Sequence, residues 1–563
     1  MTCGDAYGFI SQVKFNDGTL LQVNNNDIVV FVGPNNAGKS QALRDIYDRA
    51  KEGAARSIVA SDVETVQSLG SVVEYLAPLA PQEHEFGRFK YRLLNGDVAF
   101  NPGELSRMEQ GKHFGDFRNL FVAKLDTSAR LGICHPQKNI KRTAPRSHPI
   151  HYAAFDHHFR KWLSENFKKA FGVEITPNTQ FGENIPLCIG DAVHLEGDFE
   201  DEQTRMEAYA AIIEKYDQVQ NQGDGIKSFT GILLYLMLDY YCVYLIDEPE
   251  SFLHPPQARI MGQIIGQTLA NGKQAFISTH SEDIIRGLMD VCPERIKLVR
   301  ITRKDNTNAF SILNNDKFNE VWNDPLLRYS NIMTSLFHKS VVLCESDSDC
   351  KMYSIIEQHL KQADGRYSET LFIYSGGKHR IAKIAEALKS LNVDIKIIVD
   401  IDILNDETVF RGIVETANLK WDDVKPLFAK IVSNLHSAKK SVIRENARVE
   451  INRILDERKS ENLSRKEIDD IRGVVSTISP WYNLKMGGKS ALPAGDASAA
   501  FDELDKLLCA AGIFIVPCGE LECFVKSIGG HGPEWVNKVL ETHPDLSNSV
   551  YDEIKAFIKK MSL

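Results

Sequence analysis

The sequence predicts an α/β chain built as two successive parallel-sheet modules, each interrupted by helices. Three observations carry this. An apolar run, Ile28 to Val32, enters the glycine-bearing segment Gly33-Pro34-Asn35-Asn36-Ala37-Gly38-Lys39-Ser40. Far downstream, Val243 to Ile246 is a second apolar run that ends in Asp247-Glu248-Pro249-Glu250. From Val341 the alternation of apolar runs and helical segments starts again, and successive runs end in acid or glycine. Such alternation gives parallel sheets whose chemistry gathers at strand C-termini.

Bulk properties narrow the class. A chain of 563 residues allows about three or four domains of ordinary size. With 43% hydrophobic and 25% charged residues it has the apolar mass for real cores. A net charge of -10 excludes a chain that is basic overall, so any nucleic-acid contact has to come from a local patch. The opening MTCGDAYGFI has neither a basic region nor an apolar core, and no apolar run approaches membrane-spanning length. A cytoplasmic protein without a membrane partner is therefore expected. The ten cysteines never form C-x-x-C, and buried reduced thiols are expected.

In the first module, Phe9 to Phe15 and Thr19 to Val23 form strands around the hairpin signal Asp17-Gly18. Gly33, Gly38, Lys39 and Ser40 fill G-x-x-x-x-G-K-[ST], and Gln41 to Tyr47 opens a helix. Strand, loop and helix together make a P-loop. Its glycines let the backbone through Asn35, Asn36 and Ala37 close round phosphate oxygens, while Lys39 reaches the β- and γ-phosphates and Ser40 ligates Mg²⁺. Ala60 to Leu76 has helical periodicity, Phe86 to Phe100 reads as strands, and Phe121 to Leu131 reads as a strand and turn. A helical insertion is expected at about residues 140–220. It contains the basic segment Lys138 to Arg146, a solvated loop, and an aromatic-rich helix from Phe155 to Phe171. Gly223 to Ser228 precedes an apolar helix, Phe229 to Tyr241. In the strand after it, Asp247 would hold Mg²⁺ and Glu248 would polarise water. Gln274 to Ser281 is another strand, ending in His280. The roughly 200 residues between Lys39 and Asp247 hold no sustained heptad repeat for coiled-coil arms.

In the second module, expected at residues 336–563, three strands carry the chemistry. Val341 to Cys344 ends in Glu345 with Asp349 beyond, Leu371 to Tyr374 in Gly376-Gly377, and Ile395 to Val399 in Asp400-Ile401-Asp402. Oxygen ligands in this arrangement suit one or two divalent cations. Helices interrupt the module at about 404–500, with a charged stretch from Lys439 to Arg472. Trp481 to Ser490 contains Gly-Lys-Ser but no upstream glycine or strand, so it is not a second P-loop. Gly512 to Pro517 is a last strand, followed by Glu520 and Glu522.

The first module, at residues 1–335, resembles the ATP-binding cassette (ABC) branch of P-loop ATPases, with a hairpin ahead of the P-loop strand. The resemblance implies that Ser228 belongs to a signature loop completing a second protomer's site, and that His280 contacts the γ-phosphate. The second module resembles the topoisomerase–primase (Toprim) fold. The two in this order resemble the OLD (overcoming lysogenization defect) family, which includes the Gabija nuclease subunit and retron-associated effectors. That resemblance implies an ATP-regulated, metal-dependent endonuclease in antiphage defence, working as a homodimer or larger assembly. It implies ATP and Mg²⁺ as cofactors, with Mn²⁺ an alternative in the Toprim site. Partners would be DNA or RNA substrate, and a neighbouring gene's protein or retron nucleic acid. Metal ligands would be Glu345, Asp349, Asp400, Asp402 and a glutamate after the last strand, Glu520 or Glu522, with Glu522 favoured. Glu345 and Asp400 would be catalytic, and a catalytic lysine would be Lys526 or Lys538. Two rival readings use the same residues: an RNase toxin acting on transfer RNA, and an ATP-switched scaffold without nuclease activity.

Overall fold

The computed structural model describes residues 7–561 apart from 52–56, 68–71, 77–81, 86–87, 95, 102, 105–112, 145, 181, 192, 194, 196–198, 239, 270–271, 305–306, 314, 325–330, 438–443, 457–461 and 477–479. The chain divides into two compact units, Met1–Asn319 and Glu320–Leu563.

The first unit is organised by a six-stranded sheet. Its order is Thr307–Ile312, Ile296–Lys304, Ile28–Val32, Gln274–Ser278, Val243–Asp247 and Val122–Leu125. All neighbours run parallel except the outer Thr307–Ile312. The central strand, IVVFV, is buried at every position, as expected of a strand covered on both faces. Burial of each such side chain stabilises the fold by about 1.5–3 kcal/mol. A second sheet joins Leu20–Gln22, Gly8–Phe15 and Ala60–Gln67. The Asp17-Gly18 hairpin is as expected, with Val13 opposite Leu21.

Two expectations need correction here. Ala60 to Leu76 is not one helix: Ala60–Gln67 is a strand paired antiparallel with Gly8–Phe15, and Val72–Leu76 is helical, with 68–71 outside the described residues. Cross-strand pairing overrides a weak local period. Phe121 to Leu131 is a four-residue strand, Val122–Leu125, followed by the helix Thr127–Gly132, which Asp126 caps by accepting from the Ala129 N–H at 2.9 Å. Of the expected strands near Phe86 to Phe100, Arg88–Leu93 and Gly96–Phe100 pair antiparallel, while 86, 87 and 95 lie outside the described residues. The region of the expected insertion holds the helices Pro149–Phe155, His157–Phe171 and Glu202–Ile213 around a small three-stranded sheet.

The second unit holds a parallel four-stranded sheet ordered Thr370–Tyr374, Ser340–Cys344, Asp394–Val399 and Ile513–Ile515. Among the described residues, six α-helices come between its last two strands, from Glu407–Thr416 to Asp496–Ala510. Stacked Phe410 and Phe428, with Trp421 across them, anchor the first two. The charged stretch becomes Arg444–Asp456 and Arg465–Ser476, with 438–443 and 457–461 outside the described residues. Among the described residues, no helix is long and apolar enough to cross a membrane.

Candidate functional site

Two groups of polar side chains stand at strand C-termini, one in each unit. In the first, Asp247 lies opposite Ser278 and Ser278 opposite Phe31. That register brings the P-loop, the acid pair and His280 to one sheet edge. Gly33 has φ 143°, and a Cβ there would stand 2.0 Å from the Ile301 carbonyl oxygen, so only glycine fits. Lys39 is buried and donates to the Gly33 and Pro34 carbonyls, each at 2.8 Å. Burial lowers its pKa to about 8, against the pull of Glu248, Glu250 and Asp247. The loop from Asn35 to Ser40 lines a cavity of about 520 Å³ with Glu248, His280 and Arg303.

The acid pair is held firmly. The Ser278 hydroxyl donates to Asp247 Oδ1. Glu248 sits at φ 47°, a conformation a non-glycine residue keeps only where its surroundings fix it. Its N–H donates to the Ser278 carbonyl at 2.9 Å, and its Oε2 accepts from Ser251 Oγ at 3.3 Å. His280 Nε2 lies 3.6 Å from Glu248 Oε1. Burial, then Lys39, holds the His280 imidazole below the usual histidine range. Sequence reasoning missed Glu250, whose Oε1 accepts from the His280 N–H at 2.6 Å, and Arg303 on the cavity wall. Glu250 adjoins the acid pair and could have been read there; Arg303 carries no motif.

Ser228 is placed differently from expectation. The helix starts earlier, at Asp224–Leu236, so Ser228 lies in its second turn and is 0% exposed. Its hydroxyl therefore does not face outward toward another protomer. The exposed part is the start, Gly223 and Asp224.

In the second unit, Glu345, Asp400 and Asp402 bring ligand oxygens within 4.8 Å of one another, and Glu520, Glu522 and His531 form another such group. The Asp400 N–H donates to Glu345 Oε1 at 3.1 Å. Burial, with Asp402 and Asp349 adding repulsion, raises the Glu345 pKa to about 7. Burial and then Glu345 raise Asp400 well above the carboxylate range. Asp349 belongs to neither triad but lies near enough to repel Glu345, Asp400, Glu520 and Glu522; its carboxylate accepts from the Ser346 N–H at 2.9 Å in a capping box. Glu522 accepts from the Gly532 N–H at 2.8 Å. Glu520 is 5% exposed, and among the described residues its Oε1 finds no hydrogen-bond partner. Crowded hard oxygens and an orphaned buried carboxylate oxygen fit a divalent cation.

The lysine beside these acids is one the sequence did not single out. Lys485 Nζ lies 3.1 Å from Glu520 Oε2 and 4.0 Å from both Asp400 Oδ2 and Asp402 Oδ2. Burial opposes its charge, but Asp402, Glu520 and Asp400 outweigh burial and hold its pKa above the usual value. Lys485 rides on Pro480–Gly487, within the segment that mimics a P-loop. Lys378, from the glycine turn, is 3.3 Å from Asp402 Oδ2. Lys538 instead pairs with Glu534 at 2.9 Å.

Two family models match, one within each unit. Residues 171–286 match a family model described as "AAA domain, putative AbiEii toxin, Type IV TA system". Residues 336–402 match "Overcoming lysogenization defect protein-like, TOPRIM domain". The Old nuclease of Escherichia phage P2 is 21% identical over 166 residues, which is 28% of each chain, so the match spans under a third of that relative. Among solved structures, an Smc head bound to the C-winged helix domain of ScpA aligns at 11% identity and TM-score 0.32 over 55% of this chain and 99% of that one. The SMC head domain from Thermotoga maritima aligns at 12% identity and TM-score 0.27, over 55% and 98%.

Proposed function

We propose, from the premise that this chain is an OLD-family ATPase–Toprim protein, that it is a nucleotide-controlled, metal-dependent endonuclease serving as an antiphage effector. The observation that carries the nuclease reading is the convergence of Glu345, Asp400 and Asp402 beside Glu520, Glu522 and His531. Divalent ions bound there would supply positive charge at the phosphate and a water acidified enough to attack it. Glu345, Asp400 and Asp402 would hold one such ion, and Glu520 with Glu522 a second. Asp349 supports the first strand end by capping its helix. Lys485 neutralises the carboxylates on the Glu520 side and is placed to meet a phosphate oxygen.

At the other site, the P-loop backbone and Lys39 bind the ATP phosphates, with Ser40 and Asp247 toward Mg²⁺. Glu248 orients the attacking water and His280 senses the γ-phosphate. A second protomer would meet this site through the exposed helix start at Gly223 and Asp224. A second reading is an RNase toxin in which the same acids cut transfer RNA; the description of the matched ATPase model names a toxin.

The test incubates the full chain with duplex DNA, single strands and transfer RNA, with Mg²⁺ or Mn²⁺, with and without ATP and any neighbouring gene product. Metal-dependent cutting that EDTA stops and Asp400→Ala lacks is expected. Equal cutting by Asp400→Ala would misplace the metal site. An inert parent under every condition would favour the scaffold reading.

A further inference from the structure

Arg130 has no place in the P-loop machinery described above, yet its position is unusual. It is 0% exposed, among the largest fully buried side chains of the chain. Arginine is almost never buried completely without a partner. Here Nη1 donates to the backbone carbonyl of Asp247, the last residue of the acidic strand, and Nη2 approaches Thr127 Oγ1 at 3.4 Å. Asp247, Glu250 and Glu248 all stabilise its charge against the burial that opposes it. Asp247 is thus clamped twice, by Ser278 on its carboxylate and by Arg130 on its carbonyl.

The other end of Arg130 is clamped too. Gly231, in the middle of Asp224–Leu236, approaches so closely that a Cβ there would stand 2.1 Å from the Arg130 carbonyl oxygen. Gly225, in the first turn of that helix, would with a Cβ stand 2.6 Å from the Phe252 carbonyl, just past the acid pair. The helix whose exposed start is Gly223 and Asp224 therefore bears on the acidic turn by two routes, one of them through Arg130.

We infer that Arg130 is a positioning residue for the ATP site, fixing the Asp247–Glu248 turn and tying its geometry to the seating of the helix Asp224–Leu236. The inference rests on the ATPase reading of this unit. Arg130 acts through the Asp247 carbonyl; it sets where the Asp247 carboxylate meets Mg²⁺ and where Glu248 meets water. A displacement of about 1 Å at such a site costs about 100-fold in rate.

The test compares parent, Arg130→Met, Arg130→Lys and Gly231→Ala by ATP affinity with Mg²⁺, ATP affinity in EDTA, and turnover. Thermal midpoints select temperatures at which all are folded. In the parent, Mg²⁺ should tighten ATP binding. In Arg130→Met the EDTA affinity should stay within about twofold, while the Mg²⁺ gain shrinks about tenfold or more and kcat falls about 100-fold. Arg130→Lys, which keeps a donor for the Asp247 carbonyl, should recover part of both. Gly231→Ala keeps the guanidinium but displaces its backbone, and should move both readouts the same way. Loss of affinity in EDTA and with Mg²⁺ alike would mark Arg130 as merely structural. An unchanged Mg²⁺ gain and kcat would overturn the inference while leaving the ATPase reading intact. A parent that binds no ATP would overturn both.

Discussion

Lys39 and Glu248 face one cavity but make different contacts, and their losses should differ accordingly. Lys39 is the buried cation of the loop, so Lys39→Ala should abolish ATP binding in a calorimetric titration. Glu248 is fixed by its strained backbone and by Ser251, away from the loop's own hydrogen bonds. Glu248→Gln should therefore bind ATP normally and hydrolyse it about 100-fold more slowly or worse, the loss expected of a missing general base. Undiminished turnover would remove Glu248 from that role. Glu345 gives a prediction about pH. Its folded pKa of about 7 lies above the ordinary glutamate value of 4.5, so the folded state holds a proton that the unfolded state gives up in that window. Without divalent metal, stability should fall as pH rises from about 4.5 to about 7. Metal replaces that proton, so Mn²⁺ should raise the thermal midpoint more at pH 8 than at pH 5. An equal rise at both would mean that Glu345 does not share its site with the metal.

Elements place these residues more exactly than their motifs do. The helix Pro480–Gly487 is fixed by close approach to the loop after the last strand. A Cβ on Gly519, at φ 121°, would stand 1.7 Å from the Lys485 carbonyl oxygen, and one on Gly488 would stand 2.2 Å from that of Pro517. The Lys489 N–H donates to the Pro517 carbonyl at 2.9 Å. Such contacts hold one backbone position for Lys485, so its ammonium meets the acids by design of the packing. Lys485→Met should cut nucleic acid at least about tenfold more slowly while binding Mn²⁺ as tightly as the parent or tighter, because a competing cation is gone. Weaker Mn²⁺ binding would show that Lys485 instead supports the ligands. Gly519→Ala should lose the same activity through displacement of the helix, with a stability cost of about 1–3 kcal/mol read by denaturant unfolding. The sequence held Lys485 in plain view inside a false P-loop. No local period or spacing points from residue 485 to residues 400, 402 and 520.

At the scale of the whole chain, the two proposed chemistries fall in two compact units, and each should be separable from the other. Asp400→Ala should abolish phosphodiester cleavage while ATP turnover stays within about twofold, since the residues at the P-loop are untouched. A matching loss of ATPase activity would show obligate coupling of the two sites. Assembly is the other property of this scale. In the proposed dimer the exposed helix start at Gly223 and Asp224 meets a second nucleotide site. ATP turnover per chain should therefore rise with protein concentration, and ATP should increase the sedimentation coefficient of Glu248→Gln. Turnover independent of concentration in a monomer would contradict this.

The two α/β modules, the P-loop, the acid pair, His280 and the acids at residues 345, 400 and 402 are legible in the order of residues alone. Each of these is written locally: an apolar run fixes a buried strand, and the next few residues sit at its C-terminal end whatever the rest of the chain does. Tertiary structure alone decided that Ala60–Gln67 is a strand, because its partner Gly8–Phe15 lies some fifty residues away. It decided that Ser228 turns inward, since a helix beginning four residues earlier rotates that position into the core. It also decided which cations serve the acids. Arg130 and Lys485 are placed by carbonyls and glycines from distant segments, and side-chain charge pairing across such distances leaves no trace in the order of residues.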